Sequence, residues 1–459
     1  MEAVGRPSQL RWHLCDSVLE IREGEILDAQ AELIELYEDQ WEGLSLQVSR
    51  PLGGDRDIWR LRTDGWAGVA QLPRRDTYAP QLQIRPKLDL DLFFLADYAF
   101  GRERNRIAQQ RLEAYVNAAR ETPTAHLIAW FLAELESFIL RHLRRDYIVQ
   151  HEVFEARIRG RLLMSDYLQR YVTSGQSHRA PCQFFEFTRD NLANQILKCG
   201  LRELRRLATL LPLPSARREL CDWADRLLPF VGAVTGRSIH PADFNRLRLR
   251  GSMRHYAPII EKCRALLAQT YMTTELGAHR QDAFLWSTSD LFERALRGIL
   301  RTTPGIKLLP RGGKAAVVSP EGSTVRRTSV LPDYVLQISQ GRLILDAKYK
   351  DPRLPADSSD EVLDLEVANQ RSIRVHRSDI YQVVAYAQHA RYGPAAVALV
   401  YPVVLQPDQQ LPAPYRVTGF GNDVELFFLD VGQAAPDNLE AFRATLLESA
   451  GATHLTLVA

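Results

Sequence analysis

The sequence predicts a mixed α/β (α+β) protein of several domains, and three observations lead to this fold class. Short runs with period-two alternation, separated by Gly and Pro turns, fill residues 1–90. Amphipathic helical periodicity dominates residues 91–275, and helices alternate with strands over residues 276–459. A chain of 459 residues is long enough for two or three domains with separate cores. We therefore expect a β-rich N-terminal domain, a mostly helical central region and a C-terminal α/β domain.

Composition and charge argue against several classes of protein. The chain is 46% hydrophobic and 25% charged, and its net charge of +2 is not that of a polycation. No run of about 18 uncharged apolar residues indicates a membrane span, and the start of the chain does not resemble a secretory signal. The five cysteines are scattered without a CxxC pair, so neither a zinc site nor a disulfide framework is expected. A reducing cytoplasm fits this pattern.

The elements of the first two regions follow from the pattern. Strands are predicted at residues 45–49, 58–62 and 82–85, and a helix is predicted at residues 25–38. Amphipathic helices are predicted at residues 126–144 and 190–211. Thr188 is the expected N-cap of the second helix, and Pro212 and Pro214 are expected to end it.

The C-terminal region is predicted to run in the order helix, hairpin, helix, strand, strand. The predicted elements are a helix at 290–301, strands at 334–338 and 342–349, a helix at 379–391, and strands at 395–404 and 424–431. Residues 351–377 are rich in Pro, Asp, Ser and Arg and are assigned to a loop beside the hairpin. Residues 312–315 lack the first glycine and the hydroxyl of a P-loop and are also assigned to a loop, so this chain is not expected to bind a nucleotide.

The segment 331–350 carries the strongest signal for chemistry. Side chains alternate along a strand, so Asp346 and Lys348 should point to the same side, roughly 6–7 Å apart. Asp333, at the start of the first hairpin strand, can reach the same place. Two carboxylates and an ammonium group there could hold a divalent metal, a phosphate and an activated water. We expect Asp333 and Asp346 to bind Mg²⁺, with Mn²⁺ as a possible substitute, and Lys348 to offset developing charge.

Three further side chains belong to this hypothesis. Gln382 and Tyr386 lie four residues apart on one helix face, where they could hold a DNA phosphate or support the lysine. Glu293 could be a third carboxylate at the metal. Alternatively, Asp290 and Glu293 could form a capping box at the start of their helix. An Asp-x-Lys pair alone would more often be a surface ion pair, but the order helix, hairpin, helix argues against that interpretation.

At these residues the chain resembles the PD-(D/E)xK nucleases and, more narrowly, the McrC family, which supplies the nuclease subunits of McrBC modification-dependent restriction systems. The match covers the chain from about residue 80 to its end. The similar motifs are "I-x-P-K" at 84–88, "(K/R)GR" at 158–162, a "C-x-F-(D/E)" run with its following helix at 182–198, the Leu-Asp-Ala-Lys-Tyr strand at 345–349, the Tyr-Gln pattern at 381–386 and Tyr401-Pro402.

The resemblance implies a restriction-endonuclease-like C-terminal domain in which Asp333, Asp346 and Lys348 are the catalytic trio. It also implies double-stranded DNA as substrate, a prokaryotic cytoplasm and an McrB-like AAA+ GTPase hexamer as partner, docked through residues 91–275. Arg157, Arg159 and Arg161 are the candidates for stimulating that GTPase, with a purely structural loop as the alternative. No motif matches in the first 80 or so residues, so their role is not carried over.

Two other functions stay open from the sequence. The chain could be a DNA repair or recombination nuclease that works with another motor, because such nucleases share the same trio. It could also be mainly a scaffold that activates a GTPase, with cleavage secondary.

Overall fold

The structure is a computed structural model that describes residues 18–24, 26–30, 46–49, 58–63, 65–72, 81–101, 123–275, 282–311, 313–318, 324–339, 341–350, 362–367, 371–388, 395–420 and 422–456. The chain forms two compact units. The first unit joins Met1–Arg102 to Leu276–Ala459, and the second unit is Glu103–Glu275. The first and third predicted regions thus contribute to one compact unit, while the predicted division into three domains stays a prediction.

The strands of the described residues are β1 (Val18–Arg22), β2 (Ile26–Gln30), β3 (Leu46–Ser49), β4 (Ile58–Thr63), β5 (Trp66–Gln71), β6 (Gln81–Arg85), β7 (Asp146–Glu155), β8 (Arg161–Leu162), β9 (Arg179–Thr188), β10 (Asp282–Ser287), β11 (Lys307–Leu309), β12 (Gly313–Val318), β13 (Thr324–Val330), β14 (Tyr334–Ile338), β15 (Gly341–Ala347), β16 (Val362–Val367), β17 (Arg371–His376), β18 (Ala396–Val403), β19 (Tyr415–Val417) and β20 (Val424–Asp430). The helices are α1 (Leu92–Phe100), α2 (Pro123–His142), α3 (Met164–Asp166), α4 (Leu192–Thr209), α5 (Pro214–Leu227), α6 (Pro241–Arg246), α7 (Ala257–Glu275), α8 (Thr288–Thr302), α9 (Arg377–Ala387) and α10 (Ala435–Thr456). The mixed α/β prediction is therefore confirmed. None of the described helices is long and apolar enough to cross a membrane.

A four-stranded sheet in the first unit combines strands from both of the unit's chain segments. Its order is β1-β6-β5-β10, with β1 parallel to β6 and the other pairs antiparallel. Leu19, Ile21, Leu82 and Leu285 belong to its buried core. Because β10 runs directly into α8, this sheet supports the start of that helix.

The larger sheet of the first unit has the order β11-β14-β15-β18-β20-β19. Strands β15, β18 and β20 are parallel, and the other pairs are antiparallel. One face packs against α9 through a core that includes Ile344, Leu399 and Ile380. The alternate set of side chains, such as Leu345 and Val400, is also buried, and α8 and α10 contact the same sheet. Burial on both faces explains why the parallel strands are continuously apolar.

Helix α8 packs closely against α1 in this unit. A Cβ atom at Gly298 would lie 1.9 Å from the carbonyl oxygen of Tyr98. Only glycine permits that approach of the two backbones. The contact holds in place the helix that carries Glu293.

The second unit packs α2, α4, α5 and α7 against one another and also contains a three-stranded antiparallel sheet of order β7-β9-β8. One face of this sheet has a small core of Phe154, Ala180, Cys182 and Phe184, with Leu162 packed against it. Most of the described elements of this region are helices, in line with the mostly helical prediction, but the three-stranded sheet was not predicted.

Most predicted elements agree with the structure to within a few residues, but five predictions were wrong. Residues 26–30 form β2, not part of a helix at 25–38; residues 31–38 lie outside the described residues. The N-cap of α4 is Asn191 rather than Thr188, and Asp290 does not cap α8. Helix α4 does end before Pro212 and Pro214, and Pro214 begins α5. The segments assigned to loops at 312–315 and 351–377 contribute to β12 and to the β16–β17 hairpin, respectively.

Candidate active site

The predicted hairpin is confirmed as β14 and β15, and its open end carries the candidate site. Tyr334 pairs with Leu345, so Asp333 and Asp346 lie side by side at the point where the two strands diverge. The Asp333 carboxylate accepts a hydrogen bond from the Ala347 amide at 2.9 Å. The Asp346 side chain is buried, with 3% of the residue exposed. The pleat and the register of the hairpin are therefore what bring the two carboxylates together.

Lys348 lies between the carboxylates and helix α9. Its Nζ is 2.7 Å from Asp346 Oδ2 and donates to Gln382 Oε1 at 2.6 Å. Burial alone would lower the pKa of this ammonium group, but the carboxylates of Asp346, Asp379 and Asp333 together outweigh burial, and the pKa of Lys348 is raised. Lys348 is therefore a firmly protonated cation held in one place.

Negative charge accumulates on the other side of the site. Burial first, and the Asp346 carboxylate next, raise the pKa of Asp333 to about 6. Burial and the neighbouring Asp333 carboxylate likewise raise the pKa of Glu293 to about 7. Buried carboxylates that repel one another favour protons or a bound cation over free ionisation.

The alternative interpretation of Glu293 as part of a capping box was wrong. The N-cap of α8 is Ser287, whose hydroxyl accepts a hydrogen bond from the Asp290 amide at 3.2 Å. Asp290 instead forms an ion pair with Arg294 on the helix surface. Glu293 thus has no capping partner of the predicted kind, and it interacts electrostatically with Asp333 and Asp346.

Gln382 and Tyr386 share one face of α9, as predicted. The Gln382 amide accepts from Lys348 and donates to the Tyr386 hydroxyl at 2.8 Å. Burial raises the pKa of Tyr386. The chain Lys348–Gln382–Tyr386 is therefore continuous, and the amide supports the lysine in the way that the sequence suggested.

Sequence reasoning missed several residues around the site. Asp379, buried at the start of α9, pairs with Lys350 at 2.8 Å, accepts from the Tyr401 hydroxyl at 3.2 Å and lies 3.7 Å from Lys348 Nζ. On the opposite side, Arg297 and Arg311 donate to the main-chain carbonyl of Asp333 at 3.2 and 3.3 Å. Asp379 precedes Gln382 by one helical turn, and that spacing was the only signal in the sequence.

The oxygen ligands at this site are of the kind that a hard divalent cation prefers. Among the residues that the structure describes, no group of three or more His, Cys, Asp or Glu side chains is arranged to hold a metal ion. The predicted ligands Asp333, Asp346 and Glu293 are therefore not a preformed cluster, and the role of Glu293 stays a prediction. Two crowded carboxylates with the Ala347 carbonyl beside them still match Mg²⁺, which commonly uses one or two carboxylates and completes its shell with water and substrate oxygen.

Arg157, Arg159 and Arg161 lie in the second unit, where all three are exposed. Two of them stack on aromatic rings, with guanidinium carbon to ring centroid distances of 4.8 Å for Arg157 over Phe154 and 4.1 Å for Arg159 over Phe184. Gly160, between Arg159 and Arg161, has φ +73°, and a Cβ there would lie 2.4 Å from the carbonyl oxygen of Gln183. The loop is therefore shaped by its glycine, and its arginines are held on the sheet.

The motif helix α4 has a structural role within the second unit. Asn194 is fully buried, and its amide donates to the carbonyls of Arg144 (2.9 Å) and Arg189 (2.7 Å). Lys198 donates to the carbonyl of Val234 at 2.5 Å. These two buried motif residues thus tie α4 to the main chain of neighbouring segments in the same unit.

The fold and the site define a mixed α/β protein with a carboxylate–lysine site at the open end of a β-hairpin. The sequence model of the family described as McrBC 5-methylcytosine restriction system component matches residues 61–402. The chain belongs to this family. No curated protein matches the chain.

Solved structures that are similar to this chain include the following two. One is a chain in a refined half-complex from the tetradecameric assembly of Thermococcus gammatolerans McrB AAA+ hexamers with bound McrC, at 18% identity and a TM-score of 0.52, covering 94% of this chain and 100% of that one. The other is a chain in the cryo-EM structure of the Thermococcus gammatolerans McrBC complex, at 18% identity and a TM-score of 0.38, covering 62% of this chain and 88% of that one. The first supports a shared fold; the second TM-score is too low to add to that argument.

Proposed function

We propose that this chain is the Mg²⁺-dependent DNA endonuclease subunit of a McrBC-type restriction complex, with its C-terminal sheet in a PD-(D/E)xK domain. The observation that carries the proposal is the convergence of Asp333, Asp346 and Lys348 at the open end of the hairpin, with Gln382 on the lysine. Membership of the McrBC family makes a restriction complex the favoured setting over a repair nuclease.

The residues divide the chemistry of phosphodiester hydrolysis between them. Asp333, Asp346 and the Ala347 carbonyl would hold the metal, which supplies polarisation of the phosphate and a bound water of lowered pKa. The Lys348 ammonium, held by Asp346 and Gln382, offsets charge that develops on the phosphate oxygens. The raised pKa of Lys348 favours its ammonium form, so the part assigned to it is electrostatic.

The second unit is proposed to contact the partner, an McrB-like AAA+ GTPase hexamer, through the exposed face of its three-stranded sheet. Tyr147, Val149, Phe185 and Phe187 lie opposite one another on β7 and β9, on the face away from the small core. Phe185 is 70% exposed and Tyr147 is 65% exposed. A contiguous exposed patch of aromatic and aliphatic side chains is typical of a protein interface.

Arg157, Arg159 and Arg161 are the proposed residues for stimulating the partner's GTP hydrolysis. They lie in the loop and short strand that follow β7, and cation–π contacts with Phe154 and Phe184, on the core side of the sheet, pre-order two of them. A guanidinium placed at a nucleotide site can stabilise the charge of the transition state. Replacing each in turn by alanine should lower GTP turnover for the residue that reaches the nucleotide and leave assembly intact, whereas a structural loop would weaken assembly for all three.

The experiment that tests this proposal uses the full chain purified with an McrB-like AAA+ GTPase, the proposed partner. We expect cleavage of methylated DNA that requires both GTP and Mg²⁺, little cleavage of unmethylated DNA, and no cleavage by Asp346→Asn. Asp408→Asn, at an exposed carboxylate remote in sequence from the site, is the matched control. Cleavage by the isolated chain without a partner would favour a repair nuclease, and stimulation of GTP hydrolysis without any cleavage would favour a scaffold.

A further inference from the structure

The carboxylate of Glu23, just after β1, is fully buried and joins separate segments of the first unit. Its side chain is 0% exposed. Oε1 accepts hydrogen bonds from the Gly65 amide at 3.1 Å and the Thr288 hydroxyl at 3.0 Å. Oε2 accepts one from the Lys87 amide at 3.3 Å. Buried carboxylates require such donors, so Glu23 fixes the positions of all three groups.

Lys87 extends this network to the candidate site. Its Nζ lies 3.6 Å from Glu23 Oε1 and donates to the main-chain carbonyl of Tyr349 at 2.7 Å. The same ammonium group lies 4.4 Å from the centroid of the Tyr349 ring. The Lys87 side chain is 13% exposed, so these contacts are largely shielded from water and from salt.

The carbonyl that Lys87 holds follows Lys348 directly. Strand β15 ends at Ala347, and the Lys348 amide donates to the Val400 carbonyl at 2.9 Å. Lys348 is therefore fixed on its N-terminal side by the sheet and on its C-terminal side by the bond from Lys87 to Tyr349. The Tyr349 ring also packs on Phe292, with 5.8 Å between ring centroids.

The energetics of buried ion pairs indicate what this arrangement supplies. Removing two charges from water costs several kcal/mol per ion, so a buried pair often stabilises a fold no better than apolar residues of the same size. A charge-assisted hydrogen bond is, however, short and directional. The Glu23–Lys87 pair therefore contributes mainly a defined geometry at Tyr349.

We propose that Lys87, oriented by Glu23, is a positioning residue that sets the main chain at Tyr349 and thereby holds the Lys348 ammonium at the candidate active site. This inference rests on the proposed nuclease function. It gives the N-terminal strands a role: they carry Glu23 and Gly65, and they form part of the support of the site.

The same network reaches the helix that carries Glu293. Thr288, the first residue of α8, donates its hydroxyl to Glu23 and its amide to the Gly65 carbonyl at 3.1 Å. Glu293 follows Thr288 by five residues, little more than one helical turn. The Glu23 carboxylate thus fixes both flanks of the site, the strand end with Lys348 and the start of the helix with Glu293.

The test compares Lys87→Met, Lys87→Arg and the control Lys307→Met, which removes an exposed lysine from edge strand β11. Each full-length variant is assembled with the AAA+ partner, and cleavage is measured at saturating DNA. We expect Lys87→Met to lower the cleavage rate roughly 10–100-fold, as loss of a supporting residue commonly does, with an unchanged KM for DNA. Lys87→Arg should recover most of that rate because its guanidinium can donate to the same carbonyl.

Hydrogen exchange in the free chain provides a second measurement that does not depend on cleavage. We expect the amides of Lys348 and Lys350 to exchange about tenfold faster in Lys87→Met, while the amides of β14 keep their wild-type protection. Wild-type rates in both measurements would overturn the proposal, as would an equal loss of protection across the whole first unit. If the wild-type complex cleaves no DNA, the proposed function fails, and the exchange of these two amides still decides the positioning role.

Discussion

The hairpin site buries charged side chains, whereas the three-stranded sheet exposes apolar ones. At the hairpin the functional groups are charged and mostly buried: Asp346 is 3% exposed, and Lys348 has partners on two sides. On the three-stranded sheet the groups that stand out are apolar and exposed, such as Phe185 and Tyr147. Each arrangement is costly for a fold on its own, because charges prefer water and apolar surface avoids it.

The difference indicates two kinds of task. A buried set of opposed charges can act on a bound phosphate, because electrostatic interactions are strong where water is excluded. An exposed apolar face has no such chemistry, and burying it against another protein recovers the hydrophobic free energy that exposure loses. One region is thus suited to catalysis and the other to association, and single substitutions can separate the two.

The largest expected effect is the loss of cleavage on changing Asp346 or Lys348. In Asp346→Asn and in Lys348→Met, we expect the cleavage rate to fall by about 10³-fold or more, because charge stabilisation at the phosphate is lost. GTP turnover by the partner, measured in the same samples, should stay at the wild-type level. If both activities fall in a variant that melts like the wild type, catalysis and association are not separate as proposed.

The converse substitutions on the sheet should weaken association and preserve the site. We expect Tyr147→Ser and Phe185→Ser each to weaken partner binding by about 30-fold, since aromatic side chains that are central to an interface contribute roughly 2 kcal/mol each. Titration calorimetry measures this change. Phe230→Ser is the matched control, because Phe230 is an exposed aromatic residue of the same unit outside the sheet. Equal weakening by the control would show that the face has no special part in binding.

The part of the site that the sequence predicted is the part set by local rules. Asp346 and Lys348 share a side because strands have a period of two, and Asp333 joins them because the hairpin register is short-range. Gln382 and Tyr386 share a face because helices repeat every 3.6 residues. These features depend on residues fewer than twenty positions apart, so a pattern in one sequence can reveal them.

Three of the wrong predictions share a different cause, which is pairing between strands that are distant in the sequence. Residues 26–30 pair with β4 and so cannot form the helix that their local pattern favours. Strand β9 continues to Thr188 because Asp146 pairs with it, so the cap moves to Asn191. Strand β10 pairs with β5 as far as Ser287, which then caps α8 in place of Asp290. Tertiary pairing overrides local propensity in each case.

The residues that sequence reasoning missed are also joined over long distances. Lys87 and Tyr349 are 262 positions apart, and Glu23 and Thr288 are 265 positions apart. The motif around Lys87 was visible in the sequence, but its partner was not. The role of a lysine in a short strand motif can be assigned only once the folded structure shows which carbonyl accepts its hydrogen bond.

A smaller effect is expected from the amide that links the lysine to α9. Gln382→Leu removes the acceptor at 2.6 Å from Lys348 Nζ but leaves Asp346 in place. We therefore expect cleavage to fall roughly 10–100-fold, less than on loss of the lysine itself. Gln388→Leu, at the exposed C-cap of the same helix, is the control for helix stability. Single-turnover cleavage rates at saturating DNA distinguish the two variants, and equal rates would remove Gln382 from the site.

The smallest expected effect is a dependence of stability on pH that reports the crowding of carboxylates. The folded protein raises the pKa of Glu293 from its ordinary 4.5 to about 7. Between these values the folded state binds more protons than the unfolded state, so this residue makes the wild type less stable as pH rises from about 4.5 to 7, and the loss levels off above 7. Glu293→Gln does not titrate and should escape that loss.

Without metal, the melting temperature of Glu293→Gln should therefore exceed that of the wild type by an amount that grows over this window, reaching about 2–4 °C at neutral pH. Added Mg²⁺ should reduce or reverse the difference, because a bound cation stabilises the ionised carboxylates of the wild type. The variant Glu448→Gln changes an exposed glutamate on α10 and should follow the wild-type curve. If the melting temperatures of the wild type and Glu293→Gln change with pH in the same way, Glu293 does not interact electrostatically with Asp333. The site would then contain only two interacting carboxylates.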